Sequence, residues 1–268
     1  MTHEKVYPEM KEMLGLAPAF FDEMSCDVIE PEWELMKVFD LGDEPVPRKE
    51  RELIGLGLMS AQKCRYCTLF HSEFAKAYGS TDEELEFATH FAKSVAGWTG
   101  YFYGLQIDAE TIRKEMAQLA QKMKGPQKPV VSGPLKDVPR EMVYDEMKNI
   151  LGFVPLCFEK MSLSTLNIEW HLIKQLWFAD GPISQKYRHL MGLAIASAQK
   201  ATHSVVVHTG LARGFGATDE EIEFIVHYTK SDVGWSAYLY GKQVDFDKFR
   251  NEIRQICDRI RAAAAEIA

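Results

Sequence analysis

Few cysteines, no concentrated basic stretch and no long apolar run mark this sequence, and each absence removes a class of protein. Five cysteines in 268 residues are too few for a disulfide-built scaffold. Lys and Arg total 31 against 39 Asp and Glu, a net charge of −8. No basic cluster offsets that balance, which excludes general nucleic-acid binding through a basic surface. No uncharged apolar stretch reaches the ~18 residues expected of a membrane-spanning helix. The nearest approach, His189 to Ala212, is interrupted by Lys200 and dotted with polar groups, and reads as a pair of buried helices. The opening MTHEKVYPEMKEM lacks the basic-then-apolar order of a secretory signal. A reducing cytoplasm is therefore expected, with no membrane partner. There a close cysteine pair is reactive or metal-binding more often than structural. The hydrophobic and charged fractions, 46% and 26%, are ordinary globular values and exclude disorder as the main state.

What is present is a repeat. A shift of 137 residues places Tyr7, Leu14, Gly15, Pro18, Met24 and Trp33 on Tyr144, Leu151, Gly152, Pro155, Met161 and Trp170. It also places Gly97, Trp98, Tyr101, Tyr103 and Gly104 on Gly234, Trp235, Tyr238, Tyr240 and Gly241. One constant shift means one fold used twice, without insertions. The expected units are a front repeat over 1–124, a Gly/Pro-rich linker over 125–139 that cannot continue a helix, and a rear repeat over 140–268. Apolar residues at three- and four-residue spacing predict helices over Glu32–Asp40, Arg48–Lys63, Thr68–Tyr78, Glu83–Lys93 and Thr111–Met123. In GSTDEE (79–84), Gly79 stops one helix while Thr81 and Glu84 form a capping box for the next. Gly216, Thr218 and Glu221 repeat the device. No alternating Val/Ile/Thr run argues for a sheet, so the fold class is all-α, two helical bundles in tandem.

The repeats diverge in one place. RELIGLGLMSAQK (51–63) matches RHLMGLAIASAQK (188–200) at 8 of 13 positions, and TDEELEF (81–87) matches TDEEIEF (218–224) at 6 of 7. Between them, residues 64–79 match 201–216 at only 3 of 16. Cys64, Cys67 and His71 lie in that stretch; the rear repeat has Ala201, Ser204 and His208, and Glu52 has become His189. At i, i+3 and i+7 the first three share a helix face. A neutral imidazole one turn beyond a thiol can accept its proton, and a helix N-terminus favours the thiolate. Glu52, twelve residues before Cys64, can return antiparallel to reach His71. Two thiols and a proton shuttle make a redox site in which one sulfur is oxidised and the other resolves it to a disulfide.

Glu52-x11-Cys64-x2-Cys67-x3-His71 resembles the active-site motif of the alkylhydroperoxidase AhpD-like proteins of the carboxymuconolactone decarboxylase superfamily. The resemblance covers both repeats and implies an AhpD-like helical fold. It implies that Cys67 reacts with peroxide, that Cys64 forms the disulfide and exchanges with a reductant, and that His71 and Glu52 form the proton relay. It further implies a hydroperoxide substrate, a dithiol or protein reductant, no cofactor and a homo-oligomer, with a trimer favoured for a fused two-repeat chain. The sequence departs from alkylhydroperoxidase D in carrying Arg65-Tyr66 where that protein has a histidine between the cysteines, and in its degenerate second motif. Lactone decarboxylases of the superfamily lack the cysteine pair.

Other readings of the same residues stay open. Cys64 and Cys67 serve equally as small buried hydrophobes, or with His71 and Glu52 as zinc ligands, although no second CxxC completes the usual set. His71 alone reads as a core histidine and Glu52 as a solvated helix residue. An acid–base lactone decarboxylase using His71, Glu52 or the histidines of the second half, or a non-catalytic redox-sensing or binding oligomer, are the functional alternatives. His189, His203 and His208 have spacings that allow clustering but carry no ligand signature. The GWxxYxYG runs at 97–104 and 234–241 are expected to pack the bundle or a subunit interface rather than bind a cofactor. The rear repeat as a whole is expected to be structural.

Overall fold

The computed structural model describes residues 3–124, 130 and 133–267, and the described residues form helices and no strand. The front repeat contains α1 (His3–Leu14), α2 (Cys26–Met36), α3 (Arg48–Ala61), α4 (Arg65–Ala77), α5 (Asp82–Leu105) and α6 (Ala109–Met123). The rear repeat contains α7 (Arg140–Leu151), a single turn α8 (Leu156–Glu159), α9 (Leu163–Ile173), α10 (Gln185–Ala198), α11 (Thr202–Gly214), α12 (Asp219–Gly241) and α13 (Phe246–Ile267). The front counterpart of α8 is a 3-10 turn, Ala19–Phe21. Most of the expected linker lies in residues 133–139, which have no regular structure, or outside the described residues. Its end is pinned where Asn167 exchanges hydrogen bonds with the Val138 backbone.

Both capping boxes form: Glu84 N donates to Thr81 Oγ1 while Thr81 N donates to Glu84 Oε2, and Thr218 with Glu221 does the same. Gly79 and Gly216 stop the preceding helices with φ of +85° and +89°, a conformation that costs glycine least. The fourth predicted helix, observed as α5, is longer than its apolar spacing indicated. It runs through GWTGYFYG to Leu105, because the glycines dilute the periodicity without breaking the backbone. Its tyrosines reach the other repeat. Tyr103 Oη donates to the Lys200 carbonyl and, symmetrically, Tyr240 Oη to the Lys63 carbonyl. Tyr101 and Tyr238 donate to the carbonyls of Cys157 and Phe20. These runs therefore pack the bundle, as expected.

The two repeats interlock rather than sit side by side. Helices α3 and α10 pack against each other at the centre. Their residues 51–59 and 188–196 are buried on every side, the pattern of a helix enclosed by others. Front α6 packs on rear α11, and rear α13 packs on front α4. Helix α12 crosses α3 and α4, and α5 crosses α10 and α11. Each divergent helix is thereby roofed by helices of the other copy.

Candidate active site

The cysteines stand where α3 turns into α4. Lys63 adopts φ +60° and reverses the chain, and Cys64 becomes the N-cap of α4. Its sulfur accepts from the Cys67 backbone N–H at 3.3 Å. The Cys67 thiol also donates to Cys64 Sγ, and this bond is the main influence lowering the Cys64 pKa; burial opposes it, and Ser236 and the amides of Cys67 and Tyr66 add to it. The result is a Cys64 pKa of about 6. Cys67, holding the shared proton and buried, is pushed far above the ordinary thiol range. At neutral pH the pair is a Cys64 thiolate accepting from a Cys67 thiol. Tyr240 of the rear repeat clamps this corner, donating to the Lys63 carbonyl and accepting from Arg65 N–H.

One turn further along α4, His71 is 2% exposed and Glu52 on α3 is fully buried. His71 Nδ1 donates to Glu52 Oε2 at 2.8 Å. The ring's other nitrogen, Nε2, faces Asp232 Oδ2 of the rear repeat at 3.3 Å. Tyr228 Oη, also from α12, donates to the Arg51 carbonyl and lies 3.4 Å from His71 Nδ1. This crowding requires Gly55: a Cβ there would stand 2.3 Å from Tyr228 Oη and 2.6 Å from His71 Nδ1. Burial disfavours a charged ring, but Asp232 and then Glu52 outweigh it and hold the His71 pKa well above its ordinary value. The ring is an imidazolium between two carboxylates. The sequence expectation of a neutral imidazole waiting for the thiol proton is corrected accordingly: opposing charge, not helical spacing, sets its protonation. In the resting pair the proton acceptor for Cys67 is Cys64.

Asp40 completes the cluster. It lies on a π-helical segment, Lys37–Leu41, that continues α2, a geometry frequent at functional sites. Asp40, Cys67, His71 and Asp232 line one cavity of about 30 Å³ whose other walls are Phe20, Met36, Phe70, Trp235, Leu239 and Phe249. That space exceeds the ~10–15 Å³ that one water requires. Arg51, fully buried, donates to the carbonyls of Asp40 and Gly42 and ties the π segment to α3.

All four residues read from the sequence therefore meet: Cys64 with Cys67, Glu52 with His71, and Cys67 with His71 around one cavity. Sequence reasoning missed Asp40, and it missed a stripe on α12: Tyr228, Asp232, Ser236 and Tyr240, spaced four apart and so on one face. The expectation that the rear repeat is only structural is corrected by this stripe. A signal existed in the internal alignment. Asp40 and Asp232 fall opposite Trp177 and Val95, and a charge where a copy carries a core hydrophobe marks a site.

The equivalent position in the rear repeat is chemically different. His189 Nδ1 and His208 Nδ1 meet at 3.2 Å, one donating to the other, and His189 Nε2 donates to the Trp177 carbonyl. Burial pushes His208 down to about 3 and His189 well below its usual value, so both rings are neutral. His203 does not join them and donates to the Ile107 carbonyl instead. Ser204, in place of Cys67, bonds Thr99 at 2.8 Å. Cys157 and Cys257 are buried and Cys26 is exposed, all without a cysteine partner. Among the described residues no group of three or more His, Cys, Asp or Glu is arranged to hold a metal ion, and no helix is long and apolar enough to cross a membrane.

Fold and site define a class: an all-helical tandem-repeat protein with a cysteine pair beside a buried histidine–carboxylate cluster. The sequence matches the Carboxymuconolactone decarboxylase family at residues 33–110 and 170–244, more than half of the chain, and the protein belongs to that family. A crystal structure provisionally described as a gamma-carboxymuconolactone decarboxylase subunit from Burkholderia xenovorans LB400 is similar to it, with a TM-score of 0.54 and 16% identity over 99% of this chain and 98% of that one. At that identity the likeness establishes the fold alone. No curated protein matches the sequence.

Proposed function

We propose that the protein is a thiol–disulfide oxidoreductase that reduces hydroperoxides through Cys64 and Cys67. The observation that carries this reading is the cysteine pair itself, with Cys64 Sγ accepting from the Cys67 backbone N–H at 3.3 Å and Cys67 opening onto a cavity shared with His71; a lowered Cys64 pKa supports it. As Cys67 Sγ attacks the terminal peroxide oxygen, its proton passes to the Cys64 thiolate. Cys67 takes the terminal oxygen as a sulfenic acid, the O–O bond breaks, and the remaining alkoxide takes a proton and leaves as the alcohol. Cys64 then attacks Cys67 Sγ, a disulfide forms and water leaves. A dithiol or a protein thiol pair reduces the disulfide and restores the resting state. His71, charged between Glu52 and Asp232, stabilises the negative charge that moves onto Cys67, and Glu52 helps hold the ring charged and in place. Apolar cavity walls support an organic hydroperoxide of small bulk.

Thiol counting tests this. One equivalent of hydroperoxide removes two thiols from the reduced protein, and Cys67→Ser removes that loss. No loss, or an equal loss in Cys67→Ser, contradicts the reading. Disulfide formation without repeated turnover under any dithiol reductant supports a redox sensor instead. The buried histidine–carboxylate set supports a second reading, acid–base decarboxylation of a lactone, as the description of the Burkholderia protein has it. The carboxyl groups of Asp40 and Asp232 on the cavity wall argue against an anionic substrate. Lactone decarboxylation that survives thiol alkylation would favour it. Exposed Ile168 and Leu172 on α9 and Val226 and Val233 on α12 support a homo-oligomer; sedimentation is expected to report a trimer, and a monomer would exclude it.

A further inference from the structure

A hydroperoxide attacked by a thiolate releases an alkoxide, which is too basic to leave readily unless it is protonated in flight. The resting cysteine pair holds one proton, and that proton passes between the sulfurs. His71 has no proton to spare for the cavity, since Nδ1–H points to Glu52 and Nε2 faces Asp232. Asp40 differs. It is 3% exposed, its Oδ2 has no hydrogen-bond partner among the described residues, and it lines the same small cavity as Cys67. A buried carboxyl oxygen without a partner is costly as a carboxylate and inexpensive as an acid.

We propose that Asp40 is a catalytic residue, the acid that protonates the leaving oxygen of the hydroperoxide. This rests on the peroxidase reading above. Burial, then Asp232 from α12 and Glu52 from α3, raise the Asp40 pKa well above the carboxylate range, against His71 on α4 and Arg51 on α3. The step balances. The Cys64 thiolate takes the Cys67 proton, Cys67 takes the terminal oxygen as its sulfenic acid, and the alkoxide takes the Asp40 proton and leaves as an alcohol. One negative charge moves from Cys64 to Asp40. Disulfide formation then expels water from Cys67, using the proton on Cys64. Reduction by a dithiol delivers two protons, one to Cys67 and one to Asp40, and restores the Cys64 thiolate.

The test uses the leaving group. An alkyl hydroperoxide needs an acid; a percarboxylic acid expels a carboxylate and does not. Single-turnover oxidation of the reduced protein is followed with tert-butyl hydroperoxide and with peracetic acid, in wild type, Asp40→Asn and Asp40→Glu. General-acid catalysis contributes ~10²–10⁴-fold, so Asp40→Asn is expected to slow tert-butyl hydroperoxide by about 100-fold and peracetic acid by less than about threefold, with Asp40→Glu restoring part of the difference. Equal slowing of both oxidants, or of neither, overturns the role of Asp40 and leaves the peroxidase reading standing. A wild-type protein that reacts with neither removes the peroxidase reading itself. If the variants do not fold, the wild type supplies a second measurement: rates across alkyl hydroperoxides are expected to depend weakly on the basicity of the leaving oxygen, and a steep dependence overturns the proposal.

Discussion

Two pockets related by the internal repeat share a backbone and oppose each other in chemistry. In the front pocket Cys67, His71, Asp40 and Asp232 place polar groups on the wall of a small, otherwise apolar cavity. At the corresponding rear positions stand Ser204, His208, Trp177 and Val95; of these Trp177 lines the rear cavity, about 60 Å³, whose other walls are apolar side chains such as Trp98, Ile173 and Val207, with Glu115 among them. One histidine survives at the same place in both. With carboxylates on two sides it is held charged; with Trp177, Phe91 and a second neutral imidazole around it it is held neutral. The fold fixes where the ring stands, and the side chains packed around it, from its own repeat and from the other, decide what it does. Scaffold features resist that divergence. Gly192 is as obligatory for His208 as Gly55 is for His71, since a Cβ at Gly192 would come within 2.3 Å of the ring. Arg188 ties a rear π-helical segment, Lys174–Phe178, to α10 through the Ala179 carbonyl, as Arg51 ties the front one through Gly42.

Exchanging residues between the pockets gives graded expectations. Cys67→Ser, which copies Ser204, is expected to abolish hydroperoxide-dependent oxidation of a dithiol in a coupled assay; residual turnover near the wild-type rate would break the comparison. Asp232→Val copies Val95 and leaves His71 with one carboxylate. Removing one partner of a buried ion pair costs about 3–5 kcal/mol, so urea denaturation should show a loss of that order, together with a fall in the His71 pKa. The neutral rear histidine gives an acid limb. Its folded pKa of about 3 lies below the unfolded value of about 6.5, so the unfolded chain binds more protons between these limits and stability falls as pH drops through them, by about 3 kcal/mol at pH 4 from His208 alone. His208→Leu should shrink the stability difference between pH 7 and pH 4 accordingly, and an unchanged difference would place the acid sensitivity elsewhere. The smallest effect is at the rim: Tyr240→Phe removes the donor to the Lys63 carbonyl and should cost about 1 kcal/mol, with the alkylation midpoint of Cys64 staying near 6.

Much of this arrangement was legible in the sequence because it is local. Helix class follows from apolar spacing, and the capping boxes from Thr81/Glu84 and Thr218/Glu221. Glu52, Cys64, Cys67 and His71 lie on two consecutive helices, so a turn of known length brings them together. Asp232 comes from the other repeat, 161 positions beyond His71 in the numbering, and no spacing rule joins helices that meet through interlocking. Asp40 was hidden for a second reason. Helical spacing places it on a helix, but only the π segment and the tie from Arg51 turn it into the cavity. Protonation is least legible of all, since His71 and His208 read alike in sequence and differ only through what surrounds them.

The central claim is that equivalent histidines differ in charge, His71 protonated and His208 neutral, because of the side chains packed around each ring. Nitrogen NMR of the reduced protein labelled in its histidine rings, recorded at pH 7 with His71→Gln and His208→Gln for assignment, tests it most directly. The predicted spectrum has both His71 nitrogens in the imidazolium range and His208 as a neutral tautomer. A neutral His71, or two rings in the same state, would contradict the account.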